Sequence, residues 1–125
     1  MAFDWQEYLH LAKHIRDNCE QLPNEEAALR CAVSRAYYAA FCYACAQAEQ
    51  RYGFKRTKTP QDHFGLRQQF HARGMSGLTG KLDDLRKWRN DCDYEDDADA
   101  NLEMMLANAI NRAEHIIKTP TPKEG

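Results

Sequence analysis

A run of polar side chains, Arg86-Lys87-Trp88-Arg89-Asn90-Asp91-Cys92-Asp93-Tyr94, closes an otherwise apolar helical pattern. Arg89 follows Leu85 by four residues, Leu82 by seven and Leu78 by eleven, so on a helix its guanidinium projects from the apolar stripe. A charge there needs either an internal partner or an external anion. Asp93 stands one turn on, and Asn90 and Tyr94 add polar groups at the margin of the same surface. A second apolar helical segment carries Ser34-Arg35-Ala36-Tyr37-Tyr38. Arg35 suits a phosphate, or equally an acid such as Asp91 or Asp93, while Tyr37 and Tyr38 are packing aromatics that could also stack on a base. His63 shares a helix face with Leu66 and Phe70 and should point inward or toward an interface.

The remaining chemistry-bearing residues read as structural. Cys42-x-x-Cys45 lies in mid-helix, with no second such pair and without the helix-start position that activates a thiol. Cys92 finishes the Leu85 stripe, although its place beside Arg89 would also suit a reactive thiol. His10 and His14 are four apart but lack a third ligand, so they read as solvated side chains. No metal site and no cofactor is expected.

Five helices would position these groups. The first starts at Asp4, with Glu7 at capping-box spacing and Phe3 and Tyr8 as a hydrophobic staple, and runs to Pro23. The second is capped by Asn24, stopped by Gly53 and about 40 Å long at ~1.5 Å per residue. It is apolar on every side from Ala36 to Ala46, the mark of a helix enclosed by others. A basic connection with Lys55, Arg56 and Lys58 leads to Thr59 and Pro60, the cap and first position of a short third helix. Gly74, Gly77 and Gly80 are expected to loosen the chain before a fourth helix set by Leu78, Leu82, Leu85 and Trp88. The acidic run Glu95, Asp96, Asp97 and Asp99 opens onto a fifth, from Leu102 to Ile117. Residues 1–118 should form one domain, and 119–125 a disordered tail.

Composition narrows the setting. The net charge of -2 hides an uneven distribution, with ten Lys/Arg against three Asp/Glu in residues 51–90 and an acidic excess on both sides. A global basic footprint for non-specific nucleic-acid binding is absent, whereas a local anion site in the middle segment is not. An odd count of five cysteines, all but Cys92 within strongly helical patterns, suits reduced thiols. No apolar run approaches a membrane span, and residues 1–11 carry charges where a signal peptide would be apolar, so a cytoplasmic protein is expected.

Two fragments, Ser34-Arg35-Ala36-Tyr37-Tyr38-Ala39-Ala40-Phe41 and Arg89-Asn90-Asp91-Cys92-Asp93-Tyr94, with His63-Phe64-Gly65-Leu66 between them, resemble the HEPN family. The likeness is to its short stand-alone branch and extends from Trp5 to about Ile117. It implies an all-α, five-helix up-and-down bundle, paired as a homodimer, with the arginine end of the fourth helix lining a cleft between protomers. Many relatives belong to prokaryotic toxin-antitoxin, antiphage or stress-response systems, often beside a small nucleotidyltransferase. Others are metal-independent endoribonucleases.

The ribonuclease branch follows its arginine, four to six residues on, with a histidine. Here Asp93, Tyr94 and Glu95 take those places, and the next histidine is His115. Tyrosine titrates near about 10 and aspartate near about 4, so neither replaces an imidazole directly. Three uses of the cluster stay open. Arg89, Asp93, Tyr38 and His63 could be a polar network fixing helix register. Arg89, Asn90, Asp93, Arg35 and Tyr38 could bind a nucleotide, an RNA or a cognate protein. Arg89 with His63 or Tyr94 could cleave RNA, provided that His63 meets Arg89 in the fold. A helical scaffold subunit of a larger complex is the further alternative.

Overall fold

The computed structural model describes residues 2–97 and 101–119. Asp99 and the expected tail beyond Thr119 lie outside the described residues. Helix α1 spans Gln6–Asn18, α2 Glu25–Tyr52, α3 Gln61–Ala72, α4 Ser76–Tyr94 and α5 Leu102–Lys118, and no strand occurs among the described residues. No described helix is long and apolar enough to cross a membrane.

Local chemistry accounts for most of the boundaries. Asp4 Oδ1 accepts from the Gln6 amide at 3.0 Å, and the Phe3 and Tyr8 rings meet at 5.2 Å as the expected staple. Helix α1 stops short of Pro23, because Cys19–Gln21 tightens into a 3-10 turn. The Asn18 side chain caps that end by donating to the His14 carbonyl at 2.8 Å. Gly53 ends α2 with φ +68°, a left-handed position that glycine adopts without a Cβ clash. Asn101 Oδ1 caps α5 by accepting from the Met104 amide at 3.2 Å.

The start of α4 also departs from expectation. Gly77 and Gly80 do not loosen the chain; both lie within α4, and only Gly74, at φ +72°, makes the turn. An exposed helical glycine costs about 1 kcal/mol against alanine, less than burial of Leu78 and Leu82 returns.

Helix α2 is the centre of the bundle, and Ala36, Ala39, Ala40 and Cys45 on it have no accessible surface. It packs against α1, α4 and α5, while α3 leans on α4 and the later part of α2. Helices α2 and α4 run antiparallel, since Arg30 and Ser34 reach residues 92–96 and Tyr38 reaches Arg89. Arg30 donates to the carbonyls of Cys92 at 3.1 Å, Glu95 at 2.6 Å and Asp96 at 2.9 Å, closing the end of α4 on which the Arg89 cluster sits. Across the bundle Arg112 pairs with Asp84 at 2.9 Å.

All five cysteines are free. Burial pushes the Cys45 thiol up to about 12 and the Cys92 thiol up to about 11, so both are packing groups. Cys92 lies 3.6 Å from Met105 Sδ, the place its stripe position predicts. His10 and His14 are exposed, also as expected.

Candidate functional site

Arg89 is held by three elements of its own surroundings. Its Nη1 donates to Asn90 Oδ1 at 2.7 Å and its Nη2 to Tyr38 Oη at 2.7 Å, while Nε lies 3.8 Å from Asp93 Oδ2. The guanidinium sits over the Tyr37, Tyr38 and Tyr94 rings at 5.5, 5.2 and 5.7 Å, so aromatic faces share the task of stabilising its charge. Its Nε is buried without a hydrogen-bond partner. Asp93 is drawn away from Arg89 by Ser34, whose hydroxyl donates to Asp93 Oδ2 at 3.1 Å.

Arg35 takes a different course from the one its sequence position suggested. It makes no ion pair with Asp91 or Asp93; its guanidinium packs on the Tyr8 ring at 4.8 Å and the Tyr38 ring at 5.0 Å, with Nη2 3.5 Å from Ser34 Oγ. Ser34, rather than Arg35, is the partner that α2 offers Asp93, because Arg35 points toward α1.

His63 and Arg89 line the same cavity, of about 340 Å³, within the single chain. They do not bond to each other: Tyr37 stands between them, its hydroxyl 3.1 Å from His63 Nδ1 and its ring beneath Arg89. His63 Nε2 lies 3.0 Å from Asp83 Oδ1, and Arg67 Nε lies 3.1 Å from the same oxygen. His63 is 3% exposed, and burial holds its pKa below the ordinary value despite the opposing hydrogen bond to Asp83. Both ring nitrogens are therefore engaged. Burial likewise drives the Tyr37 hydroxyl well above its usual pKa, against the pull of Arg89 and Arg86.

The far wall comes from the connection between α2 and α3. Asp62, 3% exposed, accepts from the amides of Thr57 at 2.8 Å and Lys58 at 3.0 Å and from Thr57 Oγ1 at 2.8 Å, and it lies 3.5 Å from Arg56 Nε. Burial opposes its ionisation, but these donors outweigh burial and hold the carboxyl below the usual range. The wrap forces Lys58 to φ +60°, a conformation that few residues other than glycine adopt. Arg56 lies over the Phe41 ring at 5.5 Å, and Arg86, from α4, over the exposed Phe64 ring at 5.1 Å. Neither Arg86 nor Lys58 has a carboxylate partner within 4 Å among the described residues.

The cavity thus gathers Arg56, Lys58, Arg86 and Arg89 against Asp62 as its lining carboxylate, over a floor of Tyr37, Tyr38 and Phe41. Such a surface can neutralise an anion and stack a planar group. Asn90 and Asp93 support Arg89 from behind, and Tyr94, 72% exposed, stands at its rim. A shallower groove continues past His63 and Arg86 to Arg67, Lys87 and Asn90. A more enclosed cavity of about 240 Å³ lies among Tyr52, Leu66, Phe70 and Ile116, away from this cluster.

Sequence reasoning did not identify Asp62, Asp83 or Arg86 as parts of the site, and it read Arg56 and Lys58 only as a basic connection. Arg86 sits three residues before Arg89, and Asp83 three before Arg86, so helical spacing of α4 carried a signal for both. Nothing local marked Asp62. Fold and site together define an all-helical bundle with a cationic, aromatic-floored cleft. Compared with family models, curated proteins and solved structures, the chain has no match.

Proposed function

We propose that this chain is a HEPN-type protein that binds the phosphate of a nucleotide or an RNA in the Arg89 cleft, within a prokaryotic toxin-antitoxin, antiphage or stress-response system. The observation that carries the reading is the convergence of Arg56, Lys58, Arg86 and Arg89 on one aromatic-floored cavity, a charge excess that Asp62 and Asp93 balance only in part. The motif resemblance around Tyr37, Tyr38 and Arg89 agrees with it. A homodimer is part of the proposal: Phe64 and Tyr94, exposed beside the cleft and its flanking groove, suit a second protomer, and a nucleotidyltransferase or another cognate protein would be the further partner.

RNA cleavage is the second reading, favoured by the presence of His63 in the same cavity as Arg89. Binding is preferred because both imidazole nitrogens are already engaged, which leaves no free base for a substrate hydroxyl. Titration calorimetry with adenosine monophosphate and a short RNA tests the first reading, and Arg89→Ala is expected to lower affinity at least tenfold while circular dichroism stays native. Unchanged affinity in the folded variant refutes it. Incubation of the protein with structured and single-stranded RNA in EDTA should leave the RNA intact; Arg89-dependent cleavage to cyclic-phosphate ends would replace the first reading with the second.

A further inference from the structure

The cavity of about 240 Å³ shares no lining residue with the Arg89 cleft, and the proposed function makes no use of it. It lies between the later part of α2, the second half of α3, the start of α4 and the end of α5. Leu66, Phe70, Leu78 and Ile116 give it an apolar floor, each more than nine-tenths buried. From α2 it receives Ala44 and Ala48, whose single methyl groups leave the space unfilled.

The open edge is cationic. Arg51 and Lys118 line it, both exposed, and no aspartate or glutamate lines the cavity among the described residues. Arg51 donates through Nε to the neutral Gln47 Oε1 at 3.2 Å and forms no ion pair among the described residues. Lys118 lies 3.2 Å from Glu114 Oε2, but Glu114 also serves Lys13 at 2.9 Å. The edge therefore keeps positive charge beside an apolar interior.

We infer that this cavity binds a medium-chain monocarboxylate, its hydrocarbon body on the Leu66, Phe70 and Ile116 floor and its carboxylate on Arg51, with Lys118 as the second cation. Size follows from volume: a cavity of about 150 Å³ holds the six carbons of benzene, so 240 Å³ takes roughly eight to ten. A guanidinium matches a carboxylate through two parallel N–H donors, and the Arg51 Nη nitrogens have no protein acceptor among the described residues. The hydrocarbon gains by leaving water, and the few convergent polar groups at one end fix its direction.

Titration calorimetry on the full chain with octanoate, butanoate and octan-1-ol, below micelle-forming concentrations, tests the inference. Wild type should bind one octanoate per chain. The four missing methylenes should make butanoate at least tenfold weaker, and the missing charge should make octan-1-ol about five- to tenfold weaker. Arg51→Gln/Lys118→Gln should bring octanoate and octan-1-ol together while circular dichroism stays native. Ala44→Leu, which fills the cavity from α2, should abolish binding of both. Excess inorganic phosphate should not displace octanoate.

Absence of saturable octanoate binding overturns the inference, as does equal affinity for octan-1-ol in wild type, even where Ala44→Leu does not fold. Octanoate preference that survives the folded double variant, or binding that survives folded Ala44→Leu, overturns it too. Displacement by phosphate would move the carboxylate to the Arg89 cleft and sink the inference while leaving the phosphate reading in place.

Discussion

Replacing Asp62 tests whether the cleft is preorganised by its own loop. The carboxylate accepts from two backbone amides and one hydroxyl at 2.8 to 3.0 Å and sits 3.5 Å from Arg56 Nε. Asp62→Ala removes all four contacts. A lost hydrogen bond to a charged group is worth about 1.5 to 3 kcal/mol, but Thr57 and Lys58 are exposed and their amides can rehydrate. Counting the three hydrogen bonds and discounting each by roughly half for that access gives a destabilisation of about 2 to 4.5 kcal/mol, the Arg56 contact being too long to add to it. Asp62→Asn keeps one acceptor oxygen and turns an NH2 toward a donor, so it should cost less, about 1 to 2 kcal/mol. Urea denaturation followed by circular dichroism measures both. Because Lys58 keeps φ +60° only while the wrap holds it, phosphate affinity should fall by more than the unfolded fraction explains. Asp62→Ala costing under about 0.5 kcal/mol, with phosphate affinity intact, would refute the idea that this carboxylate shapes the far wall.

Two further expectations concern stability. The His63 pKa is lowered in the fold, chiefly by burial, so the unfolded chain binds the proton more readily and stability is lost as pH falls below about 6.5. Denaturation midpoints between pH 8 and pH 5 should fall in wild type and flatten in His63→Gln; identical pH profiles would show that His63 is not the responsible group. Gly80, exposed within α4 and with no atom near the place of a Cβ, should accept alanine. Gly80→Ala is expected to raise stability by about 0.5 to 1 kcal/mol in thermal denaturation, and a loss would mean that α4 is not helical at that position.

How far the site could be read from sequence follows from the range of each interaction. Arg89, Asn90 and Asp93 lie within one helical turn, and their contacts are set by the 3.6-residue repeat, so the pattern alone brings them together. Where two helices compete for one side chain, the pattern is insufficient. Arg35 was within reach of an acid on paper, yet the docking of α1 gave it the Tyr8 face, and Ser34 took Asp93. Local preference alone has Gly77 and Gly80 loosening the chain, and the burial of Leu78 and Leu82 outweighs it.

The sequence by itself determined that this is an all-helical chain with an enclosed second helix and a guanidinium on an apolar stripe, because spacing, caps and alanine content act over a few residues. Only the tertiary structure decided what that guanidinium faces. The Asp83-His63-Tyr37 chain joins three helices, and Asp62 folds a connection whose cations meet Arg89 across the cavity. Such contacts depend on how helices far apart in sequence dock, and no local periodicity encodes the distance between a loop at residue 58 and a helix end at residue 89. The group first noticed for its awkward charge thus became one wall of a cleft whose other walls the packing supplied.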